Sequence, residues 1–204
     1  MNTDLLKYER ELLANGCRYI AGVDEVGRGP LAGDLVVCAA VMDLENLIDG
    51  VNDSKKLTEK KREKLFPEII GRAVAYKIVH KSPEEIDRIN ILNATKAAMV
   101  EAVLGLSVTP DHVLVDAVKL DLTLPYTAII KGDANSYSIA AASIIAKVTR
   151  DREMIALSGK YPGYGFEKNK GYGSSAHIAA LREFGATDIH RRSFIKNFVG
   201  EKQP

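Results

Sequence analysis

The chain has 204 residues, 46% of them hydrophobic, and a formal charge of +1. That length can bury one substantial core, so a single domain is expected, and a near-neutral total excludes binding of nucleic acid through bulk positive charge. Cys17 and Cys38 fit neither a metal spacing nor a disulfide framework. The charged start shows no signal peptide and no apolar run reaches membrane-spanning length, so a soluble, cytoplasmic monomer is expected.

Charge is concentrated locally instead. Residues 54–64 carry six basic and two acidic side chains, and residues 147–196 carry ten basic and five acidic. Patches of this kind suit contact with a phosphate backbone.

In chain order, Leu5, Leu6, Leu12 and Leu13 predict a helix over 5–13, stopped at Asn15-Gly16. Residues 19–23 predict a first strand. Residues 35–42, an apolar run with β-branched members, predict a second strand buried on both faces. Thr58 is placed to cap a basic helix running to about residue 70, with Pro67 positioned to kink it and Gly71 to end it. A third strand is expected at 73–79. Ser82-Pro83-Glu84-Glu85 then reads as a capping box with proline at its favoured position, and Ala97, Val100 and Leu104 mark the core face of a longer helix ending near Gly105. Strands at 112–115, finishing at Asp116, and at 127–130 precede a turn at 131–135 and a long helix from Ser136 to about residue 157. The tail alternates aromatic, glycine and lysine residues before a helix at 175–184 and a basic segment at 190–198. Three strands, then helices alternating with strands, predict an α/β domain with a mixed five-stranded sheet: antiparallel first, parallel later. The last 45 or so residues form a basic, aromatic, partly helical segment.

Asp24, Glu25, Asp116 and Asp133 each follow an apolar strand, and at the carboxyl ends of strands in such sheets residues distant in sequence meet. Any one of them could instead cap a helix or solvate a loop, Asp133 most readily because Ser136 opens a helix just beyond it. Strand alternation sends Asp24 and Glu25 to opposite faces unless the strand ends or twists at Gly27. Carboxylates without histidine or thiolate partners select hard cations, magnesium or manganese, and a pair of such ions suits phosphodiester hydrolysis. The four histidines, His80, His112, His177 and His190, are too scattered for a zinc motif and read as surface or capping residues.

Gly27-Arg28-Gly29 permits close backbone approach and offers amide donors to a ribose 2′-hydroxyl, although a plain turn is the simpler reading of such glycines. Ser54 and Lys55, in Asp53-Ser54-Lys55-Lys56, offer phosphate contacts or only a solvated helix face. Lys168, Lys170, Tyr172 and Gly173 make a basic loop with an aromatic ring that could stack on a sugar or base, or pack into the domain. Arg191 and Arg192 suit phosphate contact and local ion pairing equally. Asp151 lies inside the predicted long helix and is assigned to structure.

Taken together, GVDEVGRGPLAG, NDSKKL, ILNATKAAM, VLVDA, KGDANS followed by AAASIIAKVTRD, KGYG and HRRSF span nearly the whole chain. In this order they resemble bacterial ribonuclease HII, the type 2 ribonuclease H family. The resemblance implies a ribonuclease H-like fold and hydrolysis of the RNA strand in RNA/DNA hybrids. It also implies cutting 5′ of single ribonucleotides in duplex DNA, leaving 3′-hydroxyl and 5′-phosphate ends. It assigns Asp24, Glu25, Asp116 and Asp133 to metal-binding acids, Gly27, Arg28 and Gly29 to a motif reading the RNA–DNA junction, and Tyr172 to a ring packed against the nucleotide there. The chain ends soon after HRRSF, so a longer helical extension for further duplex contacts is not expected. Two rival readings stand beside it: a non-catalytic nucleic-acid-binding module, and a metal-dependent nuclease without RNA preference.

Overall fold

The strands form where apolar residues run unbroken. In the computed structural model, which describes residues 4–199, they are β1 (Ile20–Val26), β2 (Leu35–Met42), β3 (Ala73–Lys81), β4 (His112–Asp116) and β5 (Tyr126–Ile129). Residues 1–3, which open the charged N-terminal stretch, and 200–204 lie outside that description. The sheet order is β3-β2-β1-β4-β5. β1 and β3 run antiparallel to β2, whereas β4 is parallel to β1 and β5 to β4, the mixed arrangement expected. β2 is buried at every residue, as an apolar run without alternation requires of a strand covered on both faces.

One face is covered by α4 (Ile91–Leu104), whose Ala94, Ala98, Met99 and Ala102 pack against Val23, Val37 and Val113. The other carries α2 (Glu59–Arg72) and α5 (Tyr137–Lys160), whose alanines and Ile144, Ile145 and Val148 meet Val36, Cys38 and Ala40. α5 crosses β1 at Gly22, where a Cβ would overlap the Ser138 backbone. This glycine sets how closely the helix approaches the strand that bears Asp24 and Glu25. α1 (Lys7–Ala14) lends its buried Glu9, which accepts hydrogen bonds from the Ser136 hydroxyl at 2.6 Å and the Ser138 N–H at 2.9 Å, anchoring the start of α5.

The Thr58 cap is present and Pro67 lies inside α2, which runs one residue past Gly71 to Arg72. Ser82 makes the expected capping box at the head of α3 (Pro83–Ile89). Beyond α5, the short α6 (Phe166–Asn169), α7 (Ser175–Phe184) and α8 (Arg192–Ile195) gather around Leu31, Tyr164, Phe166, Leu181 and Ile195. Four residues of α6 are too few to leave a periodic pattern, and the sequence reading passes over them.

Candidate active site

Parallel pairing puts Val23 opposite Val115, so the next residue on each strand, Asp24 on β1 and Asp116 on β4, emerges at the same end of the sheet. Asp133 arrives from a 3-10 turn, Gly132–Ala134, between β5 and α5. The Gly132 N–H donates to Asp116 Oδ1 at 2.7 Å. A Cβ at Gly132 would lie 2.6 Å from Ile139 Cδ1 and 3.2 Å from Asp116 Cα, so the turn fits against β4 because the residue is glycine. One carboxylate oxygen each from Asp24, Asp116 and Asp133 lies within 4.8 Å of the others.

Glu25 stands just outside that group. β1 keeps regular register with β2 through Val26, so the strand neither ends nor twists early enough to bring both β1 acids into one cluster. The Glu25 carboxylate lies 3.6 Å from Arg28 Nη1, and its Oε2 is buried without a hydrogen-bond partner.

These acids are held against their preference. Burial, then the Glu25 charge, raises the Asp24 pKa well above 3.8, with the Ser143 hydroxyl opposing. Burial pushes Glu25 up to about 7 despite the Arg28 guanidinium, and Asp116 is raised by burial against the Gly132 hydrogen bond. Besides Arg28, Lys55 brings a cation close: its Nζ is 2.8 Å from Asp133 Oδ2 on an otherwise exposed side chain. Crowded, desolvated carboxylates and an unpartnered buried oxygen form an all-oxygen donor set, which fits a hard divalent cation.

Next to the acids, the chain turns at Gly27, with φ +97°, into a loop on the surface. A Cβ at Gly29 would meet only Tyr172 Cε1, 3.8 Å away, and the Tyr172 ring is 42% exposed. Gly29 and Tyr172 therefore form one open face beside the carboxylates, with the Arg28 side chain exposed at its edge.

Three expected phosphate contacts are corrected by burial. Arg191 is fully buried, with Nε and Nη2 donating to the Gly33 carbonyl at 3.1 and 2.7 Å and Nη1 to that of Arg28 at 3.3 Å. Lys170 turns its ammonium back onto the Glu167 carbonyl, and the buried Ser54 hydroxyl pairs with Ser143 Oγ at 2.8 Å. Arg191 and Lys170 satisfy backbone carbonyls of their loops, and Ser54 a hydroxyl of α5, before they can offer anything to a ligand.

The histidine reading is corrected too. His177 and His190 are buried, with Nε2 atoms 3.1 Å apart, brought together by a fold that spacing along the chain does not reveal. Arg150 escaped the sequence reading as well. It is buried, and donates to the carbonyls of Ala32, Asp34 and Lys170 at 2.8–3.0 Å. Its neighbour Asp151, which drew attention instead, pairs with Lys147 at 2.7 Å and Arg62 at 3.7 Å, the structural role expected.

No described helix is long and apolar enough to cross a membrane. The family model described as Ribonuclease HII matches residues 21–197. A ribonuclease HII from Bacillus mycoides is 55% identical over 198 residues, covering 96% of this chain and 77% of the relative. The ribonuclease H2 structure from Pyrococcus horikoshii superposes with a TM-score of 0.75 at 35% identity, covering 86% of this chain and 93% of that one. A ribonuclease HII from Archaeoglobus fulgidus, solved in complex with PCNA, gives 0.75 at 30% identity over 85% and 94%. With the fold, the acidic cluster and these matches in agreement, the chain belongs to the ribonuclease HII family and is a ribonuclease H enzyme.

Proposed function

We propose that this enzyme hydrolyses the RNA strand of RNA/DNA hybrids and cuts duplex DNA on the 5′ side of a single embedded ribonucleotide, leaving 3′-hydroxyl and 5′-phosphate ends. The observation that carries the reading is the juxtaposition of the Asp24, Asp116 and Asp133 cluster with the open Gly29–Tyr172 face. Asp24, Asp116 and Asp133, with Glu25 at the margin, would hold two divalent ions, magnesium or manganese. Ions held by these carboxylates would supply a hydroxide at neutral pH and charge neutralisation for the attacking and leaving oxygens. No side chain of the site then needs to act as nucleophile.

The chain's own part is positioning. Gly29 lets backbone reach a ribose where any Cβ would narrow the approach, and a 2′-hydroxyl there distinguishes RNA from DNA. Tyr172 offers its exposed ring to the adjoining nucleotide. Lys55 is close enough to Asp133 to meet the backbone phosphate that enters with the ions, and Arg28 lies at the rim. One catalytic domain is proposed, with its last 45 or so residues forming the Tyr172 side of the site.

The test compares a duplex carrying one ribonucleotide with its all-DNA counterpart, with each cation in turn. Cleavage 5′ of the ribonucleotide, confined to the first duplex and abolished by chelation, is expected. Equal cutting of both duplexes would leave a nuclease without RNA preference.

A further inference from the structure

Behind the Gly29–Tyr172 face, His177 and His190 make a chain of hydrogen bonds whose direction the geometry settles. Two neutral imidazoles can bond Nε2 to Nε2, here 3.1 Å, only if one ring carries its proton there and the other does not. The outer nitrogens decide which. His190 Nδ1 faces the Thr187 backbone N–H at 3.0 Å and the Thr187 hydroxyl at 2.8 Å. A backbone N–H can only donate, so Nδ1 accepts and the His190 proton resides on Nε2. It is donated to His177 Nε2. The His177 proton then resides on Nδ1, 2.9 Å from the Tyr172 carbonyl oxygen, to which it is donated.

The chain thus runs from Thr187 through both rings to the backbone of Tyr172. Its His190 end is fastened to the other side of the face. His190 bridges to Ala32, the Gly33 N–H donates to the Ile189 carbonyl at 2.9 Å, and the Arg191 N–H donates to the Leu31 carbonyl at 2.9 Å. Tyr164 and Phe166 pack on both rings at centroid distances of 5.2–6.4 Å, holding them in place. We infer that His177, its tautomer fixed by His190, is a positioning residue whose Nδ1–H holds the Tyr172 backbone and so sets the recognition of the ribonucleotide junction. Burial depresses the basicity of both rings, which keeps them neutral as the chain requires. The inference rests on the reading of Tyr172 as the ring that meets the nucleotide.

Two substitutions separate positioning from mere packing. In His177→Asn the amide N–H takes the place of Nδ1–H and still reaches Tyr172; in His177→Gln the amide takes the place of Nε2 and the donor to Tyr172 is lost. Asparagine leaves the larger void, so a purely structural role makes His177→Asn the worse variant. Positioning reverses that order. With magnesium and the single-ribonucleotide duplex, kcat/KM is expected to fall about tenfold in His177→Gln, the usual scale of one lost hydrogen bond, and clearly less in His177→Asn. Equal losses, or the opposite order, overturn the inference. Tyr172→Ala is measured alongside: if it cleaves normally, the junction reading fails and this inference with it, whereas a defect there without the predicted order in the His177 variants refutes the inference alone. Ring 15N shifts of the wild-type protein give a readout that needs no variant to fold. His190 is expected as the Nε2–H tautomer and His177 as the Nδ1–H tautomer; any other pair of states at neutral pH overturns the chain.

Discussion

At the end of the sheet, Asp24, Asp116 and Asp133 crowd within 4.8 Å, with Glu25 Oε2 buried and unpartnered. Across Gly27, two buried guanidiniums meet the opposite fate. Arg150 and Arg191 find no carboxylate within ion-pair distance among the described residues, yet donate to carbonyls of Arg28, Ala32, Gly33, Asp34 and Lys170. The first region holds more carboxylates than Lys55 and Arg28 offset, so an arriving cation lowers its free energy. The second satisfies itself from its own backbone, so its shape exists before any ligand arrives. A site that must both capture ions and measure a sugar needs one of each: stored repulsion where the ions bind, and preorganised backbone where the substrate is read.

The largest effect should come from removing charge in the first region. Asp116→Asn keeps the shape of the cluster and the oxygen that accepts from Gly132, but removes a unit of negative charge. Cleavage of an RNA/DNA hybrid is expected to fall at least about a thousandfold, because the ion-derived nucleophile and leaving-group stabilisation are lost together. Hybrid binding, measured by gel shift, should persist, since the Gly29–Tyr172 face is untouched. A variant that cleaves normally would dissolve the contrast between the two regions.

Acid should separate them next, in chelated protein. The folded Glu25 pKa is raised from 4.5 to about 7, so between those values the folded state binds more protons than the unfolded one, and this group adds stability as pH falls. The folded His190 pKa is lowered from 6.5 to about 4, so the unfolded state binds the extra proton and stability is lost over that window as pH falls. The two contributions oppose one another between pH 6.5 and 4.5. Glu25→Gln removes one side of the balance. Its stability in urea should therefore fall more steeply than wild type between those pH values, by roughly 2–3 kcal/mol. Parallel curves would mean that Glu25 is not held against its charge.

What the sequence made legible was written in neighbouring residues. β2 and α7 have the bounds that an unbroken apolar run and a serine-led amphipathic stretch imply. The convergence of Asp24 and Asp116 follows from acids near the carboxyl ends of two apolar strands, given a parallel β1–β4 pair, whereas Asp133 reaches them from the 3-10 turn beyond β5. The second region was illegible for the same reason. Its order lies in side chains bonded to backbone more than 100 residues away, as Arg150 to Ala32 or Arg191 to Gly33, and backbone carbonyls carry no sequence signature. Arg191, next to Arg192 in a basic segment, suits phosphate contact and ion pairing equally until its burial is known. The histidine pair needed the fold to bring residues 177 and 190 ring to ring.

The smallest effect on stability gives the sharpest test of where the second region ends and the substrate begins. Gly27, at φ +97°, would place a Cβ 2.5 Å from Arg150 Nε and 2.8 Å from the Asp34 carbonyl oxygen. Gly27→Ala therefore combines left-handed backbone strain with displacement of a buried guanidinium, and about 2 kcal/mol or more of stability should be lost. Gly29 lies outside the left-handed region, and a Cβ there would make only an ordinary contact with the Tyr172 ring. Gly29→Ala should unfold within about 0.5 kcal/mol of wild type. Its methyl nevertheless projects onto the open face, where the backbone is proposed to approach a ribose. Cleavage at a single ribonucleotide should accordingly fall about tenfold, with thermal unfolding unchanged. Unimpaired cleavage by a stable Gly29→Ala protein would move the sugar off this face; a poorly folded one would place Gly29 with Gly27, as part of the scaffold and not of the surface it presents.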